Sequence, residues 1–470
     1  MAREHWHLTR LGDLVSIKHG WPFKSQHMAE YLPGRPIVVG IGNFEYSGGF
    51  RFESTTIKAY IGDYPKEFIL KPGDVLLVMT CQTAGGEILG IPGRIPNDGR
   101  TYLHNQRMGK VMIKDGKKVE MGFLYWLFLT SGLHRHLVAT ATGTKILHTA
   151  PERIESFSFL LPPLPIQHTI ASILLAYDDL IENNTRRIAI LEKMAQMLYQ
   201  EWFVNFRFPG HEQVKMVESE LGMTPEGWEV VRLGDIALEL RRSVSPESVD
   251  PETPYLGLEH LPRKSIALTD WGKAQTVQST KLVFKKGEIL FGKIRPYLHK
   301  VGVAPLDGVC SSDTIVISSK QDKYKALLLS CVSSDHFVAF ASKTSQGTQM
   351  PRANWNVLAT FNIAVPPPKL LSLFNDFVAS AVDSIINSVF RNRTLRRTRD
   401  LLLPKLISGK IDVSPWVEGD VEEAARELAA SVAGMKNRYD PIDSAVRRVA
   451  EAGLVAPVEE DALEWESLWE

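Results

Sequence analysis

Cysteine is scarce in this sequence, with Cys81, Cys310 and Cys331 the only three among 470 residues. Because they lie far apart, they form neither a metal-binding spacing nor a disulfide framework. Such scarcity is typical of a reducing compartment, and we expect a cytoplasmic location. No secretory pattern opens the sequence and no apolar run approaches the ~18 residues of a membrane helix, so we predict neither export nor a membrane span.

Motifs of enzymes that act on DNA are also absent. An adenine methyltransferase that flips its target base needs a short Asn/Asp-Pro-Pro-aromatic turn, whereas the two Pro-Pro pairs of this chain follow Leu161 and Val365. The phosphate-binding loop GxxxxGK[ST] is missing as well. The residues thus favour neither of these two activities, and we expect no cofactor and no metal site in this chain.

Neither sign of charge is in excess, since Lys and Arg number 54 and Asp and Glu also number 54. The distribution is uneven, because residues 417–470 carry a net charge of −9 and the first 416 residues a net charge of +9. A moderately basic body of this kind is compatible with nucleic-acid binding. We interpret residues 414–470 as an acidic tail that is helical or partly disordered.

Two long helices are the most regular feature that is present, and we predict them at 161–206 and 366–413. In the first, apolar residues recur in steps of three and four, which is typical of one apolar helix face. At about 1.5 Å per residue, its stretch 166–203 would extend roughly 57 Å, a length that favours a coiled coil. A shift of 204 residues superimposes its apolar face on that of the second helix. The two helices are therefore predicted to pair as an antiparallel coiled coil, with Asn184 and Arg399 as polar residues on the paired faces.

The globular segments are repeated too. WHLTRLGDLV at 6–15 returns as WEVVRLGDIA at 228–237, and KPGDVLLVMT at 71–80 returns as KKGEILFGKI at 285–294. We predict an α+β fold with two pseudo-repeated α/β domains, each followed by one long helix. The predicted order is a first domain at 1–160, the first helix at 161–206, a linker at 207–227, a second domain at 228–365, the second helix at 366–413 and the tail at 414–470.

Inside the first domain, Gly and Pro residues separate strand-like runs at 37–41, 68–70 and 75–79. Residues 122–139 have the pattern of one amphipathic helix. ATGTK at 141–145 and SQGTQ at 345–349 form a matched pair of polar, glycine-containing loops.

These segments resemble the DNA-specificity subunit of type I restriction–modification systems. The resemblance covers about residues 1–413. It rests on WHLTRLGD at 6–13, WEVVRLGD at 228–235, GDVLL at 73–77, GEILFGKIRP at 287–296, LPPLPIQ at 161–167 and LLPKLISGKI at 402–411. One departure is PPPKLLSLF at 366–374, which lacks the glutamine that Gln167 supplies in the first helix.

The resemblance implies that each globular copy is a target-recognition domain for one half of a split sequence in double-stranded DNA. The helices would hold the domains apart and set the unread spacer. Two methylation subunits, with S-adenosylmethionine and the adenine-methylating chemistry, would dock on the helical region. Restriction subunits that use ATP and Mg would complete the complex, so the chemistry would reside in the partner subunits.

Polar loops at equivalent places in both domains are the candidate DNA contacts, because bases and phosphates are bound by side chains of these types. In the first domain the candidates are Thr80, Gln82, Thr83, Asn105, Gln106, Arg107, Thr142, Thr144 and Lys145. In the second domain they are Lys293, Arg295, Tyr297, Ser311, Ser312, Gln346, Thr348 and Gln349.

The sequence leaves two alternative functions open, and it leaves the role of one segment undecided. A duplicated coiled-coil scaffold for proteins, without a DNA role, would show the same repeats. A nuclease would be recognised only by cleavage, since no compact acidic motif stands out. The arginine-rich segment at 389–400 could bind phosphates or an acidic partner, or could be the solvated face of a long helix.

Overall fold

The structure, a computed structural model, describes residues 5–52 and 57–417. Most of the predicted acidic tail, residues 418–470, lies outside the described residues. The described chain divides into two compact units, one formed by residues 5–179 and 395–417 and the other by residues 180–394. Each long helix contributes residues to both units.

The first globular segment contains thirteen strands and four helices within its described residues. The strands are β1 (His7–Arg10), β2 (Val15–His19), β3 (Met28–Glu30), β4 (Ile37–Val38), β5 (Lys58–Tyr60), β6 (Ile69–Leu70), β7 (Val75–Val78), β8 (Thr80–Cys81), β9 (Pro92–Arg94), β10 (Tyr102–Leu103), β11 (Met108–Ile113), β12 (Leu147–His148) and β13 (Ser158–Leu161). The helices are α1 (Leu11–Leu14), α2 (Met121–Phe128), α3 (Ser131–Thr140) and α4 (Pro151–Glu155).

The long helix α5 (Leu164–Tyr199) follows and ends in a π-helical turn at Gln200–Val204. Then come β14 (Met216–Ser219), β15 (Gly222–Pro225), β16 (Glu229–Arg232), β17 (Ala237–Glu239), β18 (Ser243–Val244), β19 (Pro254–Leu256), β20 (Gly272–Lys273), β21 (Lys281–Phe284), β22 (Ile289–Gly292), β23 (Val301–Val303), β24 (Gly308–Cys310), β25 (Thr314–Ser319) and β26 (Asn362–Val365). The α-helices of this segment are α6 (Leu233–Ile236), α7 (Lys325–Val332), α8 (Asp335–Lys343) and α9 (Trp355–Leu358). The long helix α10 (Pro368–Ile407) follows, and a 3-10 turn at Ser414–Trp416 comes after it.

The predicted duplication is confirmed by the order of strands. One four-stranded sheet has the order β2-β11-β7-β9, and the other has the equivalent order β17-β25-β22-β23. The five-stranded sheets share the core order β5-β4-β10-β6 and β20-β19-β24-β21. Their fifth strands, β3 and β18, lie on opposite edges of that shared core, so the repeats differ at their margins.

Two local expectations need correction. Residues 122–139 form two helices, α2 and α3, because Thr130 adopts an extended backbone that ends the first and precedes the second. The periodicity of apolar residues could not show this break, because every residue from Phe123 to Phe128 is buried and α2 has no polar face there. The predicted linker at 207–227 contains the antiparallel hairpin β14–β15, in which Met216 lies opposite Pro225.

Within the second unit, α5 and α10 pack antiparallel. Asn184 contacts Asn392. Trp202, in the π-helical turn that follows α5, has its ring centroid 6.1 Å from that of Phe374, near the start of α10. The predicted apolar faces form the interface, and they join the core of this unit through Ile188 on α5 and other aliphatic residues on both helices.

Within the first unit, the polar residue that interrupts the apolar face of α10 has a structural explanation. The Arg399 guanidinium forms ion pairs with Asp178 of α5 and with the adjacent Asp400, and it lies 5.8 Å from the Trp126 ring centroid. Burial of Arg399 is therefore compensated by two carboxylates and an aromatic face.

The missing glutamine of the second helix also has a visible consequence. Gln167 of α5 donates to the carbonyl oxygens of Lys118 and Pro162 and accepts a bond from the Glu120 amide. Leu371 occupies the equivalent position in α10, where none of these bonds is possible. Asn375, one turn later, donates instead to the carbonyl oxygen of Lys323.

One helix of the described residues, α10, is long and apolar enough to cross a membrane by length and composition alone. The absence of a membrane span therefore stays a prediction. Just under half of the apolar window is buried inside the protein. A core helix meets the same criterion, so the finding is weak evidence for a membrane span.

Candidate nucleic-acid interface

Three polar loops of the first domain converge on Met79, the residue between β7 and β8. The Met79 amide donates to the carbonyl oxygen of Arg107 at 2.9 Å, and the Met79 carbonyl accepts from the Thr149 amide at 3.0 Å. Residues 80–83, 105–107 and 142–148 therefore meet around one backbone position. We call these three segments the first loop cluster.

The second domain repeats this arrangement around Lys293. Its amide donates to the carbonyl oxygen of Asp313 at 2.8 Å, and its carbonyl accepts from the Ala353 amide at 2.9 Å. Residues 294–297, 311–313 and 346–352 form the second loop cluster. The same pair of backbone bonds thus joins equivalent loops in both copies.

The last loop of each cluster is a tight hairpin of the same shape. Thr142 and His148 exchange two backbone bonds, as do Gln346 and Arg352. Gly143 has φ +102° and Gly347 has φ +107°. Only glycine adopts this backbone region readily, which explains the glycine in ATGTK and SQGTQ.

Most of the predicted DNA contacts of the first domain lie together on the surface of the first loop cluster. The exposed residues are Gln82, Thr83, Gln106, Arg107, Thr142, Thr144 and Lys145, and Asn105 is half-buried. Thr80 is different, since it is buried and its hydroxyl lies 3.1 Å from His148 Nδ1. Its side chain holds β8 against β12 and does not face solvent.

The predicted contacts of the second domain lie on or next to the second loop cluster. Arg295, Tyr297, Ser312, Gln346, Thr348 and Gln349 are exposed, whereas Lys293 and Ser311 are half-buried. Arg295 adopts φ +50°, an uncommon conformation for a side chain of this size. The sequence thus predicts one surface in each domain, and the structure brings the members of each set together.

Acidic residues lie among the cations in and next to the second loop cluster. Arg241 forms an ion pair with Glu239 at 2.6 Å, and Arg352 lies 3.4 Å from Asp313. A cleft of about 330 Å³ is lined by both arginines and by Lys293. Such a cleft offers guanidinium forks at fixed positions, which suits recognition of planar hydrogen-bonding edges.

His104, next to the predicted contacts of the first domain, is a buried structural residue. Its Nε2 lies 2.8 Å from the Met108 carbonyl oxygen. Burial lowers the pKa of His104 to about 4. The ring is therefore neutral near pH 7 and supplies no charge to a nucleic acid.

Two further arginines, Arg352 and Arg153, belong to these loops but were not predicted from the sequence. Arg153 of α4 donates to the Thr142 hydroxyl at 3.1 Å and so supports the first hairpin. Arg352 closes the second hairpin, in the place that His148 takes in the first. The offset of 204 residues between the two hairpins was the signal that could have identified Arg352.

The arginine-rich segment of α10 is partly engaged in packing. Arg393 lies 3.7 Å from the Trp271 ring centroid and 3.3 Å from Asp270, while Arg399 is buried beside Asp178. At least these two arginines are thus held by the protein itself. Among the described residues, no three His, Cys, Asp or Glu side chains come together as a metal site would require.

Comparisons with known proteins agree with the duplicated architecture. Residues 3–193 and 225–370 match the family described as "Type I restriction modification DNA specificity domain". The chain is similar to the type I restriction enzyme MjaIX specificity subunit of Methanocaldococcus jannaschii, with 28% identity over 322 residues, 66% of this chain and 73% of that protein. The MjaVIII specificity subunit of the same organism is 24% identical over 435 residues, 87% of this chain and 94% of that protein.

The fold is shared with a solved structure. The crystal structure of a type I restriction-modification system S subunit from M. genitalium has a TM-score of 0.53 and 15% identity, and the match covers 86% of this chain and 96% of that one. Two equivalent loop clusters on duplicated α/β domains with paired helices define a two-domain specificity protein. The chain belongs to the family of type I restriction-modification DNA specificity proteins.

Proposed function

We propose that this chain reads a split target in double-stranded DNA, one half-site with each loop cluster. The observation that supports this most is the exact repetition of the two backbone bonds at Met79 and Lys293. They assemble exposed donors and acceptors at equivalent places in both domains. Side chains of this kind contact base edges and phosphates.

The partners follow from family membership and are part of the proposal. Two methylation subunits would dock on the helical region and carry S-adenosylmethionine, and restriction subunits would bring the ATP- and Mg-dependent activities. The chain itself would contribute recognition and assembly, without a catalytic residue. A cytoplasmic location suits a protein that acts on chromosomal and invading DNA.

Binding by the chain alone should be weak. The first 416 residues carry a net charge of only +9, so few phosphates can be neutralised by this subunit. We expect weak, salt-sensitive binding by the isolated chain and tight, sequence-selective binding together with the methylation subunits. Fluorescence anisotropy on duplex libraries at several salt concentrations measures both quantities.

The outcomes separate the candidate functions. Mapping of methylated adenines in a host that expresses the complex should reveal one bipartite motif. Tight, salt-insensitive DNA binding by the chain alone would contradict the proposal that tight binding needs the methylation subunits. Assembly with the partner subunits without any DNA selectivity would favour a protein scaffold, and Mg-dependent cleavage by the purified chain would favour a nuclease.

A further inference from the structure

We propose that Arg352 reads a guanine in the half-site of the second domain and that Asp313 positions its guanidinium for this contact. The inference rests on the proposed function, since it assigns a base and two residues to one of the two DNA-reading surfaces. It concerns a pair of side chains that the sequence pattern did not single out as partners.

The backbone of Arg352 is fixed on two sides. It exchanges hydrogen bonds with Gln346 across the hairpin, and it forms an antiparallel bridge with Ile294. The amide of the next residue, Ala353, bonds to the Lys293 carbonyl at 2.9 Å. A residue held in this way presents its side chain from a defined position, as a base-reading contact requires.

The side chain is held but still accessible. Arg352 Nη2 lies 3.4 Å from Asp313 Oδ1, and the side chain of Arg352 is 55% exposed. Asp313 is itself anchored, because its amide bonds to Ser311 Oγ at 3.2 Å and its carbonyl accepts from Lys293. The carboxylate therefore orients a guanidinium that a ligand can still reach.

The charge of Asp313 favours a base over a phosphate as the ligand. A phosphate would approach both the guanidinium and a carboxylate of its own sign, which is unfavourable. The neutral O6 and N7 edge of guanine accepts two bonds from an arginine fork, and an aspartate can accept from the paired cytosine amino group. The Arg352–Asp313 pair thus matches both bases of one G·C pair.

The first domain uses different chemistry at the same two positions. His148 stands where Arg352 does, with its Nδ1 3.1 Å from the Thr80 hydroxyl. Arg107 stands where Asp313 does and is exposed. Equivalent backbone positions in the two domains therefore carry different side chains, which favours two different half-sites.

The decisive variants are Arg352→Lys and Arg352→Gln in the full chain, assembled with its methylation subunits. Lysine keeps the charge but loses the planar fork. At one G·C position of the second half-site, we expect Arg352→Lys to reduce discrimination against the other base pairs about tenfold or more. Its salt dependence should stay close to that of the unmodified protein, and Arg352→Gln should lose the same discrimination.

Asp313→Asn tests the positioning role. Removal of the carboxylate leaves a mobile cation, so discrimination at the same base pair should fall while overall DNA affinity stays equal or rises. A residue needed only for folding would lower affinity and leave the ratio between sequences unchanged. Thermal unfolding of each variant, measured on the free chain, identifies a folding defect separately.

Arg393→Lys is the matched control, because Arg393 pairs with Asp270 at a similar distance but lies on α10, outside the loop cluster. It should leave base discrimination unchanged. The proposal is overturned if Arg352→Lys keeps full discrimination, or if both Arg352 variants weaken all sequences equally, as loss of a phosphate contact would. Absence of any sequence preference in the unmodified complex would instead overturn the proposed function.

Discussion

Asn184 and Asn392 form a buried polar contact between α5 and α10 in the second unit. Asn184 Nδ2 donates to Asn392 Oδ1 at 2.9 Å, and Asn392 Nδ2 donates to the Ile181 carbonyl and to Thr185 Oγ1. An amide pair of this kind specifies register in an otherwise apolar helix interface, because any shift leaves buried polar groups unpaired.

Replacement of one amide should therefore cost more than replacement of both. Asn392→Leu leaves the Asn184 amide buried without its acceptor, and we expect a loss of about 1–3 kcal/mol in the free energy of unfolding. The double variant Asn184→Leu, Asn392→Leu should be more stable than either single variant. Denaturant unfolding of the four proteins gives the comparison, and additive losses would show that the amides act independently.

Glu192 of α5 is a second buried polar residue, and its environment follows from tertiary contacts alone. Its Oε1 accepts bonds from the Ser265 hydroxyl and from the amides of Ile266 and Ala267, at 2.7–2.9 Å. Burial raises the pKa of Glu192 above its usual value of 4.5, and the three hydrogen bonds oppose this shift in part. The charged form is thus the disfavoured form in the folded protein.

This pKa direction predicts how Glu192→Gln changes stability with pH. Because the folded pKa lies above the unfolded one, the unmodified protein loses stability relative to the glutamine variant as pH rises from below 4.5 through the folded pKa. Glutamine can still accept at Oε1 and does not titrate. We therefore expect the unfolding free energy of the variant to rise relative to that of the unmodified protein as pH increases above about 4.5. A difference in unfolding free energy that is independent of pH would contradict the raised pKa.

At the scale of single residues, the sequence predicted burial correctly where the residue belongs to a regular apolar helix face. Asn184 lies on a regular apolar helix face, so its burial could be predicted. Glu192 is a charged residue followed by Lys193, so its sequence favours exposure, but the approach of residues 265–267 buries it. Thr80 was expected on a DNA-reading surface but is buried, because β12 returns over β8.

At the scale of elements, the two glycine hairpins are alike in outline but not in the space around the glycine. A Cβ built on Gly143 would overlap the carbonyl oxygen of Ile146, whereas one built on Gly347 would lie 3.2 Å from the Met350 carbonyl oxygen. The first hairpin is therefore closed more tightly than the second.

Alanine substitutions should expose this difference. Both glycines have positive φ, so alanine costs on the order of 1–3 kcal/mol at either position, and Gly143→Ala adds a steric overlap. We expect Gly143→Ala to reduce selectivity for the first half-site strongly, and Gly347→Ala to affect the second half-site less. Binding to duplexes that vary one half-site at a time is the measurement. Equal effects would show that the loops adapt to either substitution.

Elements were predictable from the sequence when they are repeated or strongly periodic. The repeats in β7 and β22, and in the two glycine hairpins, predicted equivalent loops correctly. The break between α2 and α3 was hidden, since buried helices lose the alternation of apolar and polar faces. The convergence of the loops on Met79 and Lys293 depends on long-range backbone bonds, which no local pattern encodes.

At the scale of the whole molecule, each half of the chain carries one domain and one long helix. A fragment of residues 1–212 would lose α10 and expose the apolar face of α5 that includes Ile188 and Leu191. Burial of such a face contributes roughly 25 cal/mol per Å², which favours self-association. Two identical fragments can bury this face against each other in a dimer with two-fold symmetry, which leaves no free copy of the face. If the proposed function holds, this dimer should direct methylation to a palindrome of the first half-site.

The contacts of the intact chain predict where such a dimer is weak. Asn184 faces Asn392, whose repeat-equivalent in α5 is Ile188, and Asp178 pairs with Arg399, whose equivalent is Ala195. In an antiparallel α5 pair, Asn184 and Asp178 would therefore meet apolar residues of the second copy. Asn184 would then be buried without its hydrogen-bond partner, and the partly exposed Asp178 would lose its ion pair, and both changes cost stability.

Substitutions of Asp178 and Asn184 should consequently strengthen the dimer of the 1–212 fragment but lower the stability of the full chain. Asp178→Asn with Asn184→Leu should strengthen dimerisation of the 1–212 fragment, because two uncompensated polar groups per copy are neutralised or removed. The same pair of changes should destabilise the full chain, since Arg399 then loses the negative charge of Asp178 and Asn392 loses the Asn184 amide. Sedimentation equilibrium of the fragment and thermal unfolding of the full chain provide the two measurements. A fragment that stays monomeric at micromolar concentrations with both substitutions would contradict the self-pairing of α5. If the two substitutions stabilised both the fragment dimer and the full chain, or weakened both, the helix register assigned here would be contradicted.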